Sequence, residues 1–157
     1  MKRFIQVLSI VFIMFLVTGC GSSETYSFTV ITGDTVTIKV NTIIGHNMTQ
    51  EVPFKVKKNN NLMLTGNFIY LNEYNERINS LDPDAETISV IEREKDEGNI
   101  IYTLYLAQVD GYESDYIYLI KIKNSNTGII LTSVANANKD DVVKAFEALT
   151  ISSTKSE

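Results

Sequence analysis

Between residues 87 and 134 the chain is four runs of strand-forming residues separated by turn residues. This alternation constrains the fold more than any other feature. The runs are 87–91, 100–107, 116–122 and 128–134, rich in Ile, Val, Leu, Thr and Tyr. Between them lie Lys95-Asp96-Glu97-Gly98-Asn99, Asp110-Gly111 and Asn124-Ser125-Asn126, which are turn chemistry. Connections this short join only antiparallel neighbours, so the four runs are expected to form a meander.

The first half adds shorter strands. Residues 26–31 and 35–40 flank the turn Thr32-Gly33-Asp34, and Thr35 to Val40 alternates polar and apolar, as a half-buried strand does. Residues 41–51 read as a loop, 54–57 and 62–65 as strands around Asn59-Asn60-Asn61. From 68 to 81 the period changes. Phe68, Leu71, Tyr74, Ile78 and Leu81 recur every three or four positions, which predicts an amphipathic helix capped by Asn67 and stopped by Asp82-Pro83. A second helix is expected to open at Asn138, with Asp140 and Asp141 at its positive end and Val142, Val143, Phe146 and Leu149 on its apolar face. Together these predict an α+β domain: a curved antiparallel sheet of about six to eight strands, with a central and a C-terminal helix on one face. A meander closed by a C-terminal helix resembles the PsbP-like fold in architecture only. No motif is shared residue by residue.

The first 20 residues read differently. Lys2 and Arg3 precede an apolar stretch from Phe4 to Val17, which ends at Thr18-Gly19-Cys20. Charged start, apolar middle and small-residue cleavage site form the pattern of a secretory signal. The stretch is shorter than the roughly 20 residues a spanning helix needs. Val17-Thr18-Gly19-Cys20 resembles the lipobox of bacterial lipoproteins. That resemblance implies cleavage after Gly19, acylation of Cys20 and a location at the extracytoplasmic face of the cell membrane. Residues 1–19 are then a leader, 20–25 a lipidated cysteine with a short linker, 26–151 the domain and 152–157 a flexible tail.

Lipidation would bind the chain's one cysteine as a thioether, which removes thiol chemistry. The 14 Lys and Arg stand against 19 Asp and Glu. Lys2 and Arg3 would leave with the leader, while every acidic residue stays, for a net charge of about −7. Such a domain has no basic footprint for nucleic acid.

Candidate sites are few. His46, the only histidine, is read as a solvated loop residue with no nucleophile pattern beside it, and one histidine without a thiol makes no usual zinc set. Asp110, Glu113 and Asp115 share one turn, and Asp82, Asp84 and Glu86 another. The first has the right atoms for calcium but does not match the EF-hand loop, and the two are read as a soluble hairpin turn and a helix-to-strand connection. Lys55, Lys57 and Lys58 could face anionic lipid, or protect an edge strand. Seven of the eight tyrosines lie between 70 and 118. Placing Tyr105 beside Tyr116 and Tyr118 on one sheet face, with Tyr112 at the loop tip, gives a candidate partner-binding surface.

The expected function is that of a lipid-anchored, non-enzymatic binding or accessory module without a cofactor. Its partner would be a membrane-proximal envelope protein or a small ligand. The alternatives are an envelope hydrolase built on carboxylates and a purely structural or oligomeric role.

Overall fold

A computed structural model describes residues 22–82, 84–109 and 113–155. In chain order its elements are β1 (Ser23–Thr29), β2 (Thr35–Asn41), β3 (His46–Met48), β4 (Phe54–Lys58), β5 (Asn61–Tyr70), α1 (Leu71–Ser80), β6 (Ile88–Glu97), β7 (Ile100–Val109), β8 (Glu113–Ile122), β9 (Thr127–Ser133), α2 (Lys139–Glu147) and β10 (Leu149–Thr154). The fold is α+β. Seven strands form an antiparallel sheet in the order β3-β4-β5-β9-β8-β7-β6, and three more form a second sheet, β1-β2-β10. The meander β6–β9 is present, each strand pairing antiparallel with the next.

Alternation along the strands decides what each sheet face buries. On one face of the large sheet, Phe54, Leu64, Tyr102, Leu104, Tyr118, Ile120, Ile129 and Leu131 meet the small sheet's Phe28, Val36, Ile38, Val40 and Ile151. The α2 residues Val142, Ala145 and Phe146 pack into this same core. The opposite face carries a smaller cluster, in which Tyr74 and Ile78 of α1 cover Ile69, Tyr105 and Leu119. Tyr118 and Leu119 are consecutive in β8, so the two clusters lie on opposite sides of it. The helices therefore pack on opposite faces, not on one as the sequence suggested.

Several boundaries also differ. Phe68, Ile69 and Tyr70 belong to β5, not to a helix. They pair with Ile129, Gly128 and Thr127 of β9, and Phe68 packs on Phe28 and Phe54 at ring distances of 5.1 and 5.4 Å. The helix starts at Leu71 behind Tyr70 with no side-chain cap; Asn67 does not cap it. The first backbone donor, Leu71 N–H, goes instead to the Asn126 carbonyl at 2.9 Å. Strand pairing and a large apolar contact outweigh the local helical period here. At the other end, Asn138 does cap α2: its Oδ1 accepts from the Asp140 and Asp141 amides at 2.9 and 3.4 Å.

The linker and tail are shorter than expected. Ser23, Glu24 and Thr25 already pair with β2, through Asn41, Val40 and Lys39. Ser152, Ser153 and Thr154 are not a frayed tail. They pair with Thr37, Val36 and Thr35 as the end of β10, because Leu149 and Ile151 bring the chain back onto the core.

The edge strand β6 is protected by charge and irregularity. Its pairing with β7 shifts register twice, Glu94 has a positive φ of 46°, and the Glu94 amide turns to the buried Thr103 hydroxyl at 3.0 Å. Glu92, Lys95 and Glu97 form surface ion pairs along it. Bulges and charges of this kind prevent edge-to-edge pairing.

Candidate functional site

The tyrosine surface does not exist as one face. In the β7–β8 register Tyr105 pairs with Ile117, and Leu106 pairs with Tyr116. This differs by one position from the pairing expected from the sequence, and one position moves every side chain to the other face. Tyr105 is buried under α1, while Tyr118 is 1% exposed in the main core. Tyr118 stacks on Phe146 at 4.0 Å and leans on Tyr102 at 5.6 Å. Tyr116 is half-buried against the same core. Burial raises the pKa of both Tyr105 and Tyr118, which keeps their phenols neutral. Tyr112 lies outside the described residues, as do Gly19, Cys20, Asp110 and Gly111.

His46 is not solvated. It begins β3 opposite Lys58, is 1% exposed, and among the described residues has no hydrogen-bond partner on either ring nitrogen. Burial, then the Lys58 charge, lowers its pKa. Protonation is therefore disfavoured in the fold, and stability is expected to fall as pH drops below the ordinary histidine value of 6.5. His46→Leu removes two desolvated nitrogens at similar volume. It should leave stability at pH 7 unchanged or higher and remove the pH dependence just below 6.5. Thermal melts of both proteins from neutral to mildly acidic pH check this; a destabilised variant with an unchanged profile would contradict it.

The lysines do not guard an edge, because β4 lies between β3 and β5. Lys58 pairs with Asp141 of α2 at 3.5 Å. Asp82 makes a local turn, its Oδ1 accepting from the Asp84 amide at 2.9 Å. Among the described residues no three His, Cys, Asp or Glu side chains are grouped to hold a metal.

The strongest polar cluster has no motif in the sequence. Asp34, 4% exposed after the β1–β2 turn, accepts from the Ser125 hydroxyl at 2.5 Å, the Asn126 amide at 3.0 Å and the Thr127 hydroxyl at 3.2 Å. These bonds, led by Ser125, outweigh burial and hold the carboxyl below its usual pKa of 3.8. A carboxylate so tightly held is a poor proton shuttle near neutral pH. The arrangement ties the β1–β2 turn to the β8–β9 turn.

Concave surface flanks β10. One groove of about 250 Å³ is lined by Ser22, Ser23, Lys39, Asn41, Glu147, Ala148 and Thr150. A second of the same size lies between β10 and the β6–β7 turn, with Glu97, Gly98, Asn99 and Ile100 on one wall. No described tyrosine lines either groove. The first is polar and sits where the chain enters the domain. The Asn41 amide donates to the Ala148 carbonyl at 2.8 Å and the Thr42 amide to the Ser22 carbonyl at 2.9 Å, which ties the segments around it together. Its lining presents hydroxyls, an ammonium and a carboxylate.

No protein-family model matches the chain, and no curated protein or solved structure matches it.

Proposed function

We propose that the chain is a lipoprotein held through Cys20 at the extracytoplasmic face of a bacterial membrane. There it acts as a non-enzymatic binding or accessory module for a membrane-proximal envelope protein or small ligand. The observation that carries this reading is the nearness of Cys20 to the fold. β1 begins at Ser23, so only Gly21 and Ser22 separate it from Cys20, a reach of about 10 Å when extended. Two acyl chains give stable anchoring, and so short a connection would hold the polar groove at Ser22 and Ser23 beside the bilayer. A groove so placed meets ligands and partners at the membrane surface.

Feeding cells a labelled fatty acid tests the anchor. Label should appear on the wild-type chain and vanish in Cys20→Ala, with the variant lost from the membrane fraction. Equal labelling of the two would sink the assignment. Crosslinking in native membranes from positions 39 and 150 tests the groove. A discrete adduct or a ligand-dependent change supports the binding role, and repeated absence of either counts against it.

A further inference from the structure

Residues Thr42 to Gly45 form a tight turn between β2 and β3, closed by the Gly45 amide donating to the Thr42 carbonyl at 3.1 Å. Its two corner residues are Ile43 and Ile44, 71% and 52% exposed. Turn corners normally carry Gly, Pro, Asn, Asp or Ser, each for a conformational or hydrogen-bonding reason. Two adjacent β-branched hydrocarbons serve neither reason, and water disfavours them there.

The turn is held firmly. Asn41 Oδ1 accepts from the Ile43 amide at 3.0 Å, and the Asn59 amide donates to the Gly45 carbonyl at 2.9 Å. Gly45 has a φ of +82°, and a Cβ there would lie 2.2 Å from Asn59 Oδ1. The isoleucines thus project from a braced support, and their branched side chains lose little further freedom on contact.

Their position is fixed relative to the start of β1. The Thr42 amide donates to the Ser22 carbonyl at 2.9 Å, so the turn is bonded to a residue two positions after Cys20. Two extended residues span about 7 Å. A lipid on Cys20 would therefore bring Ile43 and Ile44 to headgroup depth with it. Among the exposed large hydrophobics, Ile31 is the contrast. It is 77% exposed but lies beyond the far end of β1, a strand length of about 20 Å away.

We propose that Ile43 and Ile44 enter the lipid interface as a second membrane contact beside Cys20. This rests on the lipoprotein reading above and goes beyond it. A single anchor point keeps a domain near the bilayer but leaves it free to rotate about that point. A second apolar point fixes which side faces the bilayer, and so orients the groove at Ser22, Lys39 and Glu147.

The test uses the full chain, made and processed in a host that acylates lipoproteins, and placed in phosphatidylcholine–phosphatidylglycerol vesicles. Acylation consumes the Cys20 thiol, so Ile43→Cys or Ile31→Cys offers the one thiol for a polarity-sensitive fluorophore. Intact mass reports acylation independently. On acylated protein, the label at 43 should shift to the blue and be quenched by lipids bearing a shallow nitroxide, while the label at 31 does neither. Acylated protein whose label at 43 behaves like that at 31 overturns the proposal alone. A label at 43 shielded in native membranes but not in pure lipid assigns the turn to a protein and also overturns it. Absence of acyl mass overturns the anchoring reading, and this proposal with it.

Discussion

Replacing Tyr118 by alanine is expected to lower the unfolding free energy by about 3–5 kcal/mol, the usual cost of deleting a buried aromatic ring. The ring is 1% exposed and stacks on Phe146 at 4.0 Å with an interplanar angle of 16°. Phe146 also meets Tyr102 edge-on at 4.8 Å, so one deletion opens a gap against both α2 and β7. A midpoint shift of about 10 °C would accompany a loss of that size in a domain this long. The experiment separates two readings of the same residue. A tyrosine offered to a partner could be removed within about 0.5 kcal/mol, whereas a core tyrosine could not. Urea titration of wild type and Tyr118→Ala decides between them.

Asp34→Ala is expected to cost about 3 kcal/mol, because it leaves several donors unpaired where water reaches them poorly. Ser125 and Thr127, 6% and 0% exposed, lose their acceptor, and the Asn126 amide with them. Asp34→Asn keeps an acceptor oxygen and should cost less. The carboxyl's pKa is lowered by folding, so its contribution is fully present above the unfolded value of 3.8 and is lost as pH falls through the lower folded value. Denaturation at pH 7 and at about pH 3 should therefore show the gap between wild type and Asp34→Asn narrowing in acid. A constant gap would mean that the charge contributes nothing.

The sequence made parts of this fold legible because the signals were local. The β6–β9 meander follows from alternating residues and turn chemistry within each connection. The α2 start follows from Asn138, whose capping bonds reach only two and three residues ahead. What failed was settled at a distance. Phe68 has a helical period with Leu71 and Ile78, yet it is drawn into β5 by pairing with Ile129 and by the rings of Phe28 and Phe54. The β7–β8 register is set by pairing along the whole hairpin, in which Tyr105 meets Ile117, and a slip of one position turned a buried tyrosine into an apparent surface.

The candidate sites divide the same way. Asp34 lies 91 residues from Ser125, so nothing near it in sequence marks it as more than a turn residue. Its Thr32-Gly33 context was the only local sign. His46 looked solvated because Gly45 and Asn47 flank it, but the three-residue strand β3 turns it inward against β4. The exposed isoleucines were visible as residues. Their closeness to Ser22, two positions after Cys20 in the chain, appears only through the Thr42–Ser22 hydrogen bond.

Anchoring through Cys20 is the claim on which the proposed role depends, and the intact mass of the protein extracted from its own membranes tests it most directly. The account expects a chain that begins at Cys20 and carries added acyl mass, with the thiol unreactive. A chain that still holds residues 1–19, or begins elsewhere with an unmodified thiol, would contradict it.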